Sequence, residues 1–309
     1  MTVENLDEMK NLEDRIKYSY DKIWFHKLNE KKVEKIVGFW FEKPRIKACL
    51  IGGIRENCLL FPYSSPFAMI ETLKECKNEE LESFIEEIDI FACKNEITQV
   101  KVKLPPMIYD EPNITKCLGA FLRDNYQVCE LELNFQIEVE DEEHYKNRLH
   151  RNGRKNLNHA LEQNFCLHYC FTENEKYTAY EIIRVNRQSK NYYLSMTWDE
   201  VKNTIRYMEH DFFILTLNGK NIASAIVFKV TDDIWQVVYW GELPGQDDAR
   251  PMNYLPYALC RFYKEKGIRV LDIGPSMLNG KPNYGLCDFK ESIGCTVSSK
   301  FVLRKEFIL

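Results

Sequence analysis

The sequence predicts an α/β (α+β) protein of two tandem domains, each with a mixed, mostly antiparallel sheet. Its 309 residues are long for one core and comfortable for two domains. Four residues recur at a shift of 170 residues, close to half the chain, as Val100, Pro105, Pro112, Asn113 and then Val270, Pro275, Pro282, Asn283. A duplicated domain gives such a register. The second half also reads as a helix pair, an antiparallel meander, and then helix, strand, helix, strand.

The first half predicts a domain over residues 1–137. Hydrophobic periodicity and turn residues predict a helix at about 4–30, strands at 33–41, 45–51 and 57–61, a helix at 78–92, a strand at 97–104, a helix at 114–124 and a strand at 127–139. Gly52-Gly53 and Asn57 mark the turn between two of these strands. We expect this domain to be a degenerate copy of the second.

The second half predicts a domain over residues 138–309, after the acidic link from Glu138 to Glu143. The same patterns predict helices at 142–163, 174–190, 198–209, 252–266 and 286–293, and strands at 165–171, 211–217, 221–230, 233–241, 269–273 and 296–304. Asn218-Gly219 predicts a tight hairpin turn, and Gly267 predicts a left-handed helix cap.

Composition narrows the class of protein. Hydrophobic residues make up 45% and charged residues 29%, which is typical of a folded soluble protein. No apolar run of about 18 residues predicts a membrane span, and Met1–Asp14 lacks the apolar core of a signal peptide, so we expect a cytoplasmic protein. The eleven cysteines form no CxxC pair and read as buried thiols. A net charge of -5 argues against a general nucleic-acid coat but not against a local phosphate site.

The C-terminal region carries the most specific pattern. A strand, Val270–Pro275, precedes a loop with Asn283-Tyr284-Gly285-Leu286 and a short helix with Phe289-Lys290 that stops at Gly294. This block resembles the second domain of FemAB-like aminoacyltransferases, which are built from two GNAT folds in tandem. The basic run from Arg148 to Lys155 and the Pro62–Pro66 loop are similar to two further places in that family. The family's Gly-Gly after that loop is missing here.

The resemblance implies transfer of an aminoacyl or acyl group from an activated ester or thioester to an amine. It makes Lys290 the candidate stabiliser of the oxyanion, where ordinary GNAT enzymes often carry a tyrosine. An ammonium held beside Phe289 would be partly dehydrated and would act at low dielectric. Ordinary GNAT enzymes also bind the coenzyme A pyrophosphate on a glycine-rich loop at a helix N-terminus. The matching segment, Gly245–Asn253, has two aspartates and no G-x-G, so we expect weak or no acetyl-CoA binding.

The candidate site residues fall into two groups. The catalytic candidates are Lys290, Glu242 as a general base at a strand end, and Tyr239 as a hydrogen-bond donor. The substrate-binding candidates are Phe289, Asn283, Tyr284, Arg151, Arg154, Lys155 and Arg187. These candidates also have purely structural explanations. Lys290 can run along its helix, Glu242 can simply end a strand, and Arg187 can be a cation at a helix C-terminus. The basic residues can belong to a solvated helix around which they spread.

No cofactor is required by this interpretation, and aminoacyl-tRNA or acyl-CoA is the candidate co-substrate. The expected partners are a tRNA or nucleotide-linked substrate and an amine acceptor. No metal site is expected, because the six histidines have no metal-ligand spacing. Two alternatives stay open: a non-catalytic tandem GNAT module that binds a ligand or partner, and an ordinary acetyl-CoA-dependent N-acetyltransferase.

Overall fold

The computed structural model describes residues 2–3, 5–278 and 280–307. The chain forms two compact units. The first contains the residues up to Leu133 together with those from Ser298 onward, and the second is Asn134–Val297. The division predicted at 137/138 lies close to the first boundary. The difference is the last strand, which the sequence assigned to the second domain.

The strands and helices of the described residues have the following bounds. The strands are β1 Thr2–Val3, β2 Lys35–Glu42, β3 Ile46–Arg55, β4 Cys58–Phe61, β5 Glu71–Thr72, β6 Gln99–Lys103, β7 Gln127–Glu138, β8 Phe165–Tyr169, β9 His210–Leu217, β10 Lys220–Lys229, β11 Ile234–Glu242, β12 Val270–Pro275, β13 Met277–Leu278, β14 Lys281–Pro282 and β15 Thr296–Glu306. The α-helices are α1 Ile23–Leu28, α2 Asn78–Lys94, α3 Glu111–Arg123, α4 Glu142–Arg148, α5 Arg151–Leu161, α6 Glu173–Ser189, α7 Trp198–Thr204, α8 Pro251–Glu265 and α9 Tyr284–Ser292.

The two units have sheets of the same topology. In the first unit the order is β1-β2-β3-β4-β6-β15, and in the second it is β8-β9-β10-β11-β12-β7. Each sheet begins with an antiparallel meander, continues with one parallel pair, β4–β6 or β11–β12, and ends with an antiparallel strand. That closing strand comes from the other half of the chain in both units: β15 closes the first sheet and β7 closes the second.

The predicted repeat corresponds to this topology. Val100 lies on β6 and Val270 lies on β12, and both strands lie between a parallel and an antiparallel neighbour. The two segments therefore form corresponding elements. Their helices are offset, because the β13–β14 hairpin comes between β12 and α9 and has no counterpart before α3.

Two predicted helices are wrong in detail. The helix expected at about 4–30 is a 3-10 helix, Leu6–Arg15, followed by short turns and α1. Its buried side chains Leu6, Met9 and Leu12 recur every three residues, which fits the three-residue turn of a 3-10 helix. The helix expected at 142–163 is two helices, because Leu149 is extended and buried between α4 and α5.

The turns predicted at Asn218-Gly219 and at Gly267 are confirmed, whereas Gly52 and Gly53 lie within β3 and the turn to β4 is formed by Glu56 and Asn57. Asn218 and Gly219 both have positive φ, 50° and 77°, as a type I′ hairpin requires. Gly267 follows α8 with a φ of 72°. Large aromatic side chains form the core of the second unit, including Phe212, Phe213 and Tyr263, each almost fully buried. Among the described residues, no helix has the length and apolar character needed to cross a membrane.

Candidate active site

The candidate site begins where the parallel strands β11 and β12 separate. They pair over only three residues each, Ile234–Gln236 with Val270–Asp272. Beyond that point β11 continues to Glu242 and β12 continues to Pro275. These unpaired continuations are the two arms of the site. The backbone N–H and carbonyl groups on their facing edges need other hydrogen-bond partners. A separation of this kind gives a ligand access to backbone groups within a sheet.

Lys290 binds main-chain groups at this end of β12. Its Nζ donates to the carbonyl oxygens of Ile273 at 3.2 Å, Gly274 at 2.9 Å and Pro275 at 3.3 Å. The residue is only 3% exposed, and burial lowers the pKa of its ammonium to about 8. Lys290 therefore points inward from α9, not outward to solvent. That it faces a cleft between the two domains stays a prediction.

The aromatic ring over this ammonium is Phe135, with its centroid 5.1 Å from Nζ. The sequence placed Phe289 there, next to Lys290 in the chain. Consecutive helical residues point about 100° apart, so Phe289 is only partly buried. Phe135 comes from β7, the strand that closes this sheet from the first half of the chain, and sequence spacing gives no signal for that contact.

A buried carboxylate fixes the same end of β12. The Asp272 side chain is fully buried and accepts from Asn134 Nδ2 at 2.8 Å, Gln236 Nε2 at 2.7 Å and the Gly274 N–H at 2.9 Å. Gly274 has a φ of 75°, a left-handed conformation that glycine adopts at low cost. Asp272 and Lys290 thus hold the N–H and the carbonyl of the same glycine. Asp272 lies in the predicted strand Val270–Pro275, but the sequence pattern alone assigns it no role.

Glu242 lies at the end of the other arm. Burial, with a further contribution from the Asp247 carboxylate, raises its pKa to about 7. Asn186 on α6 donates from Nδ2 to the Glu242 carbonyl oxygen at 2.7 Å and lies where a Cβ on Gly241 would be. The strand end is thus fixed by a helix. A carboxyl group with a pKa near neutrality can accept a proton from an incoming amine.

Tyr239 on β11 and Arg187 on α6 lie next to each other. The Tyr239 hydroxyl hydrogen-bonds Ser195, and burial raises its pKa. The Arg187 guanidinium lies 6.0 Å from the ring centre of Tyr239 and 5.9 Å from that of Tyr192. Burial lowers the pKa of Arg187, and within the described chain its Nε is buried without a hydrogen-bond partner. Arg187 is therefore more than the exposed helix-end cation of the structural alternative.

The remaining C-terminal candidates lie around the start of α9. Asn283 is the N-cap of that helix, and its Oδ1 accepts from the Leu286 N–H at 3.3 Å. Tyr284 is 74% exposed. These positions give Asn283 a structural task and leave the substrate-binding roles of Asn283, Tyr284 and Phe289 as predictions.

The basic candidates Arg151, Arg154 and Lys155 lie together on α5. They line one open groove of about 600 Å³ with Asn158, His159 and Glu162. The interpretation that this basic run spreads around a helix is wrong for α5, since the lining residues share one face. The helix predicted at 142–163 would contain both Arg148 and Arg151. The break at Leu149 instead places Arg148 on α4 and Arg151 on α5.

In the described part of the first unit, a loop residue bonds to the end of the corresponding strand, β6. There the N–H of Ala68 donates to the Lys103 carbonyl at 2.9 Å, at the end of β6. Phe67, Met69 and Ile70 beside it are buried. Ala120, which corresponds to Lys290 at the shift of 170, is fully buried and offers no charge.

The segment expected to reject coenzyme A lies between β11 and α8. Asp247–Ala249 is a short 3-10 turn, Arg250 has a φ of 59°, and Pro251 begins α8. Weak acetyl-CoA binding stays a prediction. Across residues 2–3, 5–278 and 280–307, no group of three or more His, Cys, Asp or Glu side chains is arranged to hold a metal ion.

Comparison with known proteins identifies the fold. No family model matches the sequence, and no curated protein matches it. The solved structure of FemX matches with a TM-score of 0.70 at 10% identity, over 99% of this chain and 97% of that chain. A conserved protein of unknown function from Bacteroides thetaiotaomicron matches with a TM-score of 0.61 at 10% identity, over 99% of both chains. L-PGS from Bacillus licheniformis matches with a TM-score of 0.59 at 11% identity, over 87% of this chain and 84% of that chain. The chain has the FemX fold, and the predicted class of two tandem GNAT-like domains is confirmed.

Proposed function

We propose that the protein is an N-acyltransferase that moves an aminoacyl or acyl group from an activated ester or thioester to an amine. The observation that carries the proposal is the buried ammonium of Lys290 at the end of β12, with the carboxyl group of Glu242 at the end of β11. The reacting carbonyl would lie between these strand ends. The FemX fold agrees with this class of reaction.

The two groups would act at different steps. The amine nitrogen attacks the donor carbonyl carbon, the new N–C bond forms, and the carbonyl electron pair moves to oxygen. Glu242, with a pKa raised to about 7, accepts the proton that the amine loses. The oxygen's electron pair then re-forms the carbonyl as the C–O or C–S bond to the donor's carrier breaks, and the carrier oxygen or sulfur leaves with that bond's electrons and takes up the proton that Glu242 accepted.

Lys290 would stabilise the negative oxygen of the intermediate. Its bond to the Pro275 carbonyl is the longest of the three, at 3.3 Å, and only part-buried, so it is the one that an oxyanion can replace. A fixed donor of this kind lowers the barrier by about 3–4 kcal/mol. Asp272 would act through Gly274 as a positioning residue, and Tyr239 and Arg187 would orient the substrate.

An aminoacyl ester donor is favoured over a coenzyme A thioester. The segment before α8 has two aspartates, Asp247 and Asp248, where a pyrophosphate would need backbone N–H groups without nearby negative charge. Arg187 remains available for an anionic group of the donor or acceptor.

The test is a donor screen with product detection by mass spectrometry. The protein is incubated with a mixture of amine acceptors and either an aminoacyl-tRNA pool or acetyl-CoA, and new amides are sought. We expect amide formation from the aminoacyl ester, and its loss in Glu242→Gln and Lys290→Met. Amides from acetyl-CoA alone would favour the ordinary acetyltransferase, and product formation that both variants retain would contradict the proposed site.

A non-catalytic binding module is the second candidate, and one observation favours it. All three N–H bonds of Lys290 already point to backbone carbonyls, as they would in a purely structural clamp. The absence of any amide product from either donor, with ligand binding retained, would support this candidate.

A further inference from the structure

The ammonium group of Lys266 lies among four aromatic rings of the second unit. Its Nζ is 4.7 Å from the ring centre of Phe262, 5.2 Å from that of Trp235, 5.7 Å from that of Tyr263 and 5.8 Å from that of Tyr169. A cation at such a distance is attracted by the electron-rich face of each ring. These four rings, here called the aromatic box, form a site whose shape and charge suit an ammonium group.

A buried carboxylate adjoins the aromatic box. Asp211 on β9 is only 2% exposed, and its Oδ2 accepts from Lys266 Nζ at 2.8 Å. The hydroxyl of Tyr169 donates to Oδ1 and that of Tyr263 donates to Oδ2, each at 2.8 Å. The carboxylate therefore keeps two donors when the ammonium leaves. It still requires a positive charge beside it, because a buried charge without a counter-charge is costly.

The aromatic box is accessible from solvent. Lys266 directly follows α8, and its side chain is 39% exposed. At the rim, the ring of Phe171 packs on Tyr169 with their centres 4.8 Å apart and is itself 76% exposed. Trp235 contributes a second unused group, because its Nε1 is buried without a hydrogen-bond partner within the described residues, whereas native proteins satisfy most such donors. The chain thus leaves an apolar rim and a buried donor for a ligand to contact.

Lys266 is a replaceable occupant of the aromatic box. Fixing a long lysine side chain in one conformation costs conformational entropy, and an ion pair with a part-exposed lysine adds little to offset that cost. A free primary alkylamine in its protonated form presents the same ammonium, the same N–H groups and a similar alkyl chain. A ligand of this chemistry therefore competes with Lys266 for the same position.

The aromatic box is separate from the candidate active site. Trp235 lies near the start of β11 and Glu242 lies at its end. A strand of that length extends over about 23 Å. Occupancy of the box thus leaves the strand end with Glu242 free, and the inference does not depend on acyl transfer.

We propose that the aromatic box is a binding site for a primary alkylammonium ligand, and that Lys266 is the chain's own competitor for it. The ligand nitrogen takes the position of Lys266 Nζ, against the four rings, and donates one N–H to Asp211. Lys266 then turns to solvent, which its place at the end of α8 permits. The exchange is non-covalent, and one ammonium replaces another beside the buried carboxylate.

The experiment is a titration with n-butylammonium, which reproduces the end of a lysine side chain, followed by the indole N–H resonances of the five tryptophans in nitrogen-15 spectra. Trp235→Phe assigns the resonance that reports on the box. The test variant is Lys266→Ala, and the matched control is Lys264→Ala, an exposed lysine of α8 that carries the same charge. Two further probes are n-butanol, which lacks the charge, and tetramethylammonium, which lacks the N–H groups. Circular dichroism checks that the variants fold.

We expect butylammonium to shift the Trp235 resonance of the native protein with a dissociation constant on the order of millimolar. Lys266→Ala should bind about tenfold more tightly, because the competing ammonium is gone, and Lys264→Ala should bind like the native protein. Adding Phe262→Leu to Lys266→Ala removes the nearest ring and should weaken binding about fivefold.

The native titration alone decides whether the site exists, since no saturable shift of Trp235 would overturn it even if Lys266→Ala failed to fold. Equal affinities for Lys266→Ala and Lys264→Ala would overturn the role of Lys266 as competitor. Butanol that binds as well as butylammonium would indicate an apolar pocket only, and tetramethylammonium that binds more tightly would contradict the bond to Asp211. Each of these results leaves the proposed acyl transfer as it stands, because that function is tested by amide products.

Discussion

Replacement of Lys290 by methionine should change how the stability of the protein depends on pH. Methionine is similar in length to lysine but lacks the ammonium and its three bonds to the carbonyls of Ile273, Gly274 and Pro275. In the native protein, burial lowers the Lys290 pKa from 10.5 to about 8. In the unfolded chain the same lysine is solvated and titrates near its ordinary value.

The direction follows from proton binding. Between pH 8 and 10.5 the unfolded chain holds a proton on Lys290 that the folded protein has released, so the free energy of unfolding rises with pH in this window. One pKa unit corresponds to about 1.4 kcal/mol. The full rise is therefore about 3 kcal/mol. Below pH 8 both states are protonated and Lys290 gives no pH dependence.

The assay is urea denaturation followed by tryptophan fluorescence at several pH values from 7 to 10.5, for the native protein and Lys290→Met. All other titrations are common to both, so the difference between the two curves isolates Lys290. We expect the native curve to rise relative to the variant by about 3 kcal/mol. Lys264→Met, at an exposed position of α8, should remain parallel to the native curve. Parallel curves for native protein and Lys290→Met would refute the burial of this ammonium.

Three further predictions concern other parts of the chain. Acyl transfer should decline as pH falls below about 7, the Glu242 pKa, and Glu242→Gln should lower the rate about a hundredfold and abolish that decline in a pH–rate profile. Burial also raises the Glu71 pKa to about 7, so between pH 4.5 and 7 the folded protein binds a proton that the unfolded chain has released. The free energy of unfolding should therefore fall as pH rises through this range. Glu71→Gln should flatten this fall in thermal melts. Fragments 1–137 and 138–309 each lack the strand that closes their own sheet. Neither fragment should unfold cooperatively alone, and mixing the two should restore a cooperative transition. Independent folding of either fragment would contradict the exchange of β7 and β15.

The sequence predicts local structure well where the signal is local. The hydrophobic strands, the Asn218-Gly219 turn and the Gly267 cap depend on neighbouring residues, and the structure has them at the expected places. The exchange of β7 and β15 depends on pairing between distant segments, and no local pattern encodes it. The same holds for Phe135, which reaches the Lys290 ammonium from the other half of the chain.

The candidate site was predictable in kind but not in its contacts. The Phe289-Lys290 pattern indicated a lysine of interest, yet its three carbonyl partners arise from the separation of β11 and β12, which is a tertiary feature. Arg151, Arg154 and Lys155 were candidates from the sequence, but their common face was not predicted, because the run was taken together with Arg148, which the break at Leu149 separates from α5. Asp272 was visible in the strand, but its three donors come from three separate segments.

The central claim is tested most directly by the single-turnover rate of acyl transfer, with enzyme in excess over a labelled aminoacyl donor. Lys290→Met should lower the rate constant for amide formation about a hundredfold or more, because a lost oxyanion donor costs about 3 kcal/mol. The affinity for the donor, measured by quenching or anisotropy, should remain unchanged. A Lys290→Met protein that folds, binds the donor and transfers at the native rate would contradict the claim that this buried ammonium stabilises the reacting oxygen.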